Sequence, residues 1–145
     1  MSEAGPRRPL DDLAATSRLA HETAALLPPG ALLVLSGPLG AGKTTFVREL
    51  ARALGSDADV TSPTYTLVHE YPTPAGPLVH IDAFRLDDAR ALERLGLDEY
   101  LERARVVVVE WGDALLAAYA EALHLEFDRV SGRHGATWRR PPAGR

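Results

Sequence analysis

Lys43 is the single lysine among the 16 basic residues of the chain, and it sits in the run Gly37-Pro38-Leu39-Gly40-Ala41-Gly42-Lys43-Thr44-Thr45. The spacing fits G-x-x-x-x-G-K-[ST]. In that loop glycines let successive N–H groups curl around phosphates, the lysine reaches the outer phosphates, and the next hydroxyl ligates magnesium. Gly37, Leu39, Gly40, Ala41, Gly42, Lys43, Thr44 and Thr45 are therefore candidate nucleotide-binding residues. Two apolar runs elsewhere end in an acid, Leu78-Val79-His80-Ile81-Asp82 and Val106-Val107-Val108-Val109-Glu110. In open α/β sheets ligands bind outside the carboxyl ends of parallel strands, so acids placed there can face the loop. In-line attack on a γ-phosphate needs a metal to neutralise developing charge and a group to position the nucleophile. Lys43, Asp82 and Glu110 are accordingly the candidate catalytic residues, and Thr44, Asp82 and Glu110 the candidate metal ligands.

Other polar residues admit two readings. Ser62-Pro63-Thr64 is either a segment that responds to the γ-phosphate or a proline turn whose hydroxyls bond their own backbone. Arg85 could stabilise transition-state charge or form a structural ion pair. His80 reads as a packed histidine, and Trp111 as core or a lid over Glu110.

The elements around the loop suit it. Ala31 to Leu35 reads as a buried strand after a Pro28-Pro29-Gly30 turn. Phe46, Val47, Leu50, Ala51 and Leu54 recur at helical spacing up to Gly55. This order sets a helix N-terminus, with its positive dipole end, against the phosphates. Upstream, the first nine residues read as a loose leader, and Leu10 to Leu27 as an amphipathic helix. Downstream, Thr66 to Tyr71 and Leu78 to Ile81 read as strands, and Asp87 to Leu95 and Leu97 to Leu101 as helices. Val106 to Val109 reads as a central strand covered on both faces. Trp111 to Ala122 reads as a helix, and Leu123 to Phe127 with Ala136 to Arg139 as a hairpin about Ser131-Gly132. The prediction is one α/β domain over residues 10–140, a P-loop NTPase-like three-layer sandwich with a mixed sheet flanked by helices. Residues 1–9 are the leader and 141–145 a flexible tail.

Composition sets bounds. With 46% hydrophobic and 25% charged residues the chain resembles an ordinary soluble domain. No apolar stretch approaches the roughly 20 residues that span a bilayer. The start of the chain lacks the basic-then-apolar form of a secretion signal, so the expected location is cytoplasmic, with no membrane partner. The absence of cysteine excludes a disulfide, a thiolate nucleophile and cysteine-ligated zinc. A net charge of -4 argues against a surface that grips nucleic acid all over. Arg129, Arg133, Arg139, Arg140 and Arg145 nevertheless follow Asp128 with no further acid, and Arg133, Arg139 and Arg140 are candidates for contact with RNA or a nucleotide phosphate.

Taken together, the phosphate loop, Ser62-Pro63-Thr64-Tyr65, His80-Ile81-Asp82-Ala83-Phe84-Arg85-Leu86 and Glu110-Trp111 resemble the bacterial TsaE (YjeE) family. The resemblance covers about residues 10 to 130. It implies an ATPase subunit of the machinery that makes threonylcarbamoyladenosine beside the tRNA anticodon, using ATP and Mg2+. Its implied partners are the threonylcarbamoyltransferase subunit and its inactive paralogue (the TsaD and TsaB type), with tRNA contact through that complex. On this resemblance Lys43 holds phosphates, Thr44 and Glu110 ligate magnesium, and Asp82 completes the metal and water network. Ser62 and Thr64 lie in the nucleotide-responsive segment, and Trp111 beside the nucleotide. Pro38, Phe84 and Gly112 depart from the family's usual Asp, Tyr and Pro without removing a phosphate or metal ligand. Two rivals share the loop, a small-molecule kinase and a non-hydrolysing nucleotide sensor. A GTPase is disfavoured because the chain contains neither Asn nor Gln.

Overall fold

The computed structural model describes residues 5–57, 68–83 and 96–143. The Ser62-Pro63-Thr64 segment, the helix expected over Asp87 to Leu95, and Phe84 and Arg85 lie outside them.

Seven strands form one mixed sheet: β1 (Arg8–Pro9), β2 (Ala31–Ser36), β3 (Val68–Tyr71), β4 (Leu78–Asp82), β5 (Val106–Glu110), β6 (Leu123–Val130) and β7 (Arg133–Arg140). Their order is β1-β7-β6-β2-β5-β4-β3. The inner strands β6, β2, β5 and β4 run parallel, and the antiparallel β7, β1 and β3 complete the edges. The valine run of β5 is fully buried between β2 and β4, as a strand covered on both faces must be.

Helices α1 (Leu13–Leu26) and α2 (Lys43–Ala53) cover one face, packing Leu19, Phe46, Val47 and Leu50 on Leu33, Leu35, Val106 and Val108. The short helices α3 (Leu97–Arg103) and α4 (Leu115–Ala118) cover the other, where Leu97 and Leu115 meet Val34, Val79, Ile81, Val107 and Val109. The expected three-layer α/β sandwich is thus observed. Alternation along each strand assigns Leu78, His80 and Asp82 of β4, with Val106, Val108 and Glu110 of β5, to the face beneath α2.

Three elements differ from expectation. Residues 5–9 are not a loose leader: Arg8 and Pro9 pair with Ala136 and Gly135, and the Gly5 N–H donates to the Trp138 carbonyl. Arg7 anchors this edge through Asp128 at 2.8 Å and lies so close over Gly135 that a Cβ there would collide with its guanidinium. Helix α1 starts at Leu13 because the Asp12 carboxylate caps it, accepting from the Ala15 N–H, which leaves Leu10 buried outside the helix. Residues 111–122 are helical only over Leu115–Ala118. Trp111 has φ 63°, which breaks regular structure directly after β5, and Tyr119 is extended so that the chain can enter β6 alongside β2.

Candidate active site

The loop between β2 and α2 takes its shape from glycine. Gly37 has φ 129°, and a Cβ there would overlap the Phe127 carbonyl, so the loop starts where strand β6 leaves no room for a side chain. Gly42 (φ 103°) is the N-cap of α2 and makes no side-chain cap; a Cβ on it would point into open space. The first N–H groups of a helix lack intrahelical partners, so this uncapped terminus presents donors and positive dipole to an anion.

Lys43 is the first residue of α2 and only 4% exposed. Its ammonium donates to the Gly37 carbonyl at 2.5 Å and lies 3.9 Å from the centroid of the Trp111 ring. Burial pushes its pKa below the ordinary lysine value, opposed by the carboxylates of Glu110, Asp82 and Asp113. Trp111 reaches this position through its left-handed backbone, a conformation that costs a non-glycine residue about 1–3 kcal/mol.

Asp82 and Glu110 stand opposite each other in the β4–β5 register, at the carboxyl ends of two parallel strands. Both line a cleft of about 430 Å³ together with Leu39, Gly40, Ala41, Gly42, Lys43, Thr44, Thr45 and Trp111. The structure thus gathers Leu39 to Thr45, both acids and the tryptophan around one space; Gly37 does not line it and is linked to it through the Lys43 ammonium.

Residues that the sequence did not single out complete the cleft. Leu10, Asp11, Asp12, Leu13 and Thr16 wall it from the start of α1, and His134 from β7. Arg129 of β6 donates to the Gly40 carbonyl at 2.8 Å and to His134 Nε2 at 3.3 Å, tying the loop to the β6–β7 hairpin. His80 is packed, as expected, but its Nε2 also lies 2.6 Å from Glu110 Oε2. Two further arginines of the expected basic patch have partners within the chain. Arg139 pairs with Glu126, and Arg140 donates to the Leu116 and Tyr119 carbonyls at the end of α4.

The family described as "Threonylcarbamoyl adenosine biosynthesis protein TsaE" matches residues 10–136. This chain belongs to the TsaE family. It is similar to the tRNA threonylcarbamoyladenosine biosynthesis protein TsaE of Bacillus subtilis, at 47% identity over 66% of this chain and 60% of that protein. The protein of the same name in Streptomyces coelicolor is 43% identical over 79% of each chain. The fold agrees: the crystal structure of Bacillus subtilis YdiB superimposes with a TM-score of 0.73 at 31% identity, over 95% of this chain and 86% of the other. The match with the TsaE family takes in the phosphate loop, both strand-end acids and Trp111. No helix among the described residues is long and apolar enough to cross a membrane.

Proposed function

We propose that this chain is the ATP-hydrolysing subunit required for threonylcarbamoyladenosine modification of tRNA, acting in the cytoplasm on the threonylcarbamoyltransferase and its inactive paralogue rather than transferring the group itself. The observation that carries the ATPase reading is the convergence of Lys43, Thr44, Asp82 and Glu110 on one cleft at the mouth of the phosphate loop. Family membership and the names of the relatives support the pathway.

The side chains divide the work. Backbone N–H groups from Gly40 to Thr45 cradle the phosphates, with Leu39 at the exposed lip of the loop. The Lys43 ammonium leaves the Gly37 carbonyl and the Trp111 face to pair with the outer phosphates, and the vacated ring packs beside the nucleotide. Thr44, Glu110 and Asp82 supply a hydroxyl and two carboxylates, the hard oxygen donors that magnesium accepts alongside substrate phosphates and water. Among the described residues no group of three or more His, Asp or Glu side chains would hold a metal without such help. When bound, the metal neutralises charge developing on the transferring phosphoryl group. Asp82 accepts a hydrogen bond from the attacking water; the water oxygen bonds to the γ-phosphorus as the bridging bond to ADP breaks, and the water's surplus proton leaves through Asp82 to solvent or on the released phosphate. Ser62, Pro63 and Thr64 form the segment that responds to the state of the γ-phosphate.

Phosphate release from ATP by the complex reconstituted with both partners tests this reading. Glu110→Ala is expected to abolish hydrolysis there, and wild-type turnover in that variant would sink the assignment. Transfer of phosphate to a small acceptor instead of water would favour the kinase alternative.

A further inference from the structure

Among the described residues one buried side-chain atom has no hydrogen-bond partner, Nδ1 of His80. His80 is wholly buried, and its other nitrogen lies 2.6 Å from Glu110 Oε2. The contact is diagonal. In register His80 faces Val108 and Asp82 faces Glu110, so the ring reaches one pair further along the neighbouring strand. Against an ionised carboxylate, which only accepts, Nε2 is the donor of this bond. An aliphatic side chain at this position would pack among Leu78 and Val108 with no polar atom to satisfy. Among the described residues the polar contact that the histidine makes is with Glu110.

We propose that His80 is a positioning residue for Glu110. The ring engages one carboxylate oxygen and leaves the other for the metal and water network. It also holds the side chain against the pull of the Lys43 ammonium, which shares the cleft with Glu110. This inference rests on the reading of Glu110 as a magnesium ligand.

The test is calorimetric ATP binding to the full chain, with magnesium and with EDTA, for wild type, His80→Leu, His80→Gln and Glu110→Gln. Loss of an outer partner of a metal ligand typically costs roughly 10- to 100-fold in metal affinity. His80→Leu is expected to remove that much of the magnesium-dependent gain while leaving the affinity in EDTA unchanged. His80→Gln, whose amide can donate to Glu110, should keep most of the gain. A full gain in His80→Leu overturns the proposal, as does equal loss in the Leu and Gln variants. If the gain disappears in Glu110→Gln but persists in His80→Leu, only the proposal falls. If wild type itself shows no gain, the reading of Glu110 falls and takes the proposal with it. Independently of any variant, nitrogen NMR of the wild-type chain should find a hydrogen on His80 Nε2; a ring with no hydrogen there would refute its role as donor to Glu110.

Discussion

Replacing Gly42 by alanine should separate ligand binding from folding. Its φ of 103° lies where an L-residue is strained, at a cost of about 1–3 kcal/mol. No atom lies within 4 Å of the added methyl, so no clash adds to that cost. For a domain of this size 1 kcal/mol lowers the melting temperature by roughly 3–4 °C, which places the expected fall at about 3–12 °C. The same methyl enters the space in front of the α2 terminus, where the loop amides meet phosphate. Loss of a hydrogen bond to a charged group costs about 1.5–3 kcal/mol, or roughly 10- to 150-fold in affinity. Gly37→Ala provides the contrast. Its methyl would run into the Phe127 backbone, which cannot step aside as a flexible side chain would, so folding should suffer more than in Gly42→Ala. Thermal denaturation and calorimetric titration with ATP read the two effects on each variant. Wild-type ATP affinity in folded Gly42→Ala would refute the cradle.

Other residues give sharper single readouts. Burial lowers the Lys43 pKa, so in the alkaline range below the ordinary lysine value the unfolded chain binds the extra proton and wild-type stability rises with pH there. Lys43→Met should therefore melt higher than wild type at pH 7, with the gap narrowing toward pH 10.5, while failing to bind ATP; thermal melts across pH check both. Trp138 is the largest fully buried side chain, and Trp138→Ala should cost about 3–5 kcal/mol in chemical denaturation. Arg129→Ala should weaken ATP binding by a few-fold through the freed Gly40 carbonyl, at about 1 kcal/mol for a hydrogen bond this exposed. Arg139→Ala breaks only an exposed pair with Glu126, worth about 0–1 kcal/mol, and should leave ATP binding untouched in the same titration.

The contrast between Arg129 and Arg139 marks where sequence reading stops. The phosphate loop is legible because its chemistry demands glycines and a lysine at fixed local spacing, and the positive φ values of Gly37, Gly40 and Gly42 meet that demand. Val106 to Val109 is legible as a central strand because only a strand covered on both faces is apolar at every position. Asp82 and Glu110 are legible as strand-end acids. Their mutual placement depends on the β4–β5 register, as does the reach of His80, and no local pattern encodes register between strands 24 residues apart. The Arg129 contact with Gly40 joins residues 89 positions apart, and from sequence alone it is indistinguishable from the other arginines of the hairpin. Arg8 and Pro9 look like tail residues because a two-residue strand has no periodicity; the edge of β7 and the Arg7–Asp128 pair recruit them. The long helix expected after Glu110 fails at Trp111, whose left-handed backbone no helix accommodates and no local pattern announces.

On this reading the nucleotide site serves tRNA modification. Nucleoside mass spectrometry of bulk tRNA, from cells depleted of this protein and supplied with either the wild-type chain or Lys43→Ala, tests it most directly. Loss of threonylcarbamoyladenosine on depletion, restored by the wild type and not by Lys43→Ala, is the predicted result. Unchanged modification in fully depleted cells, or full restoration by Lys43→Ala, would contradict it.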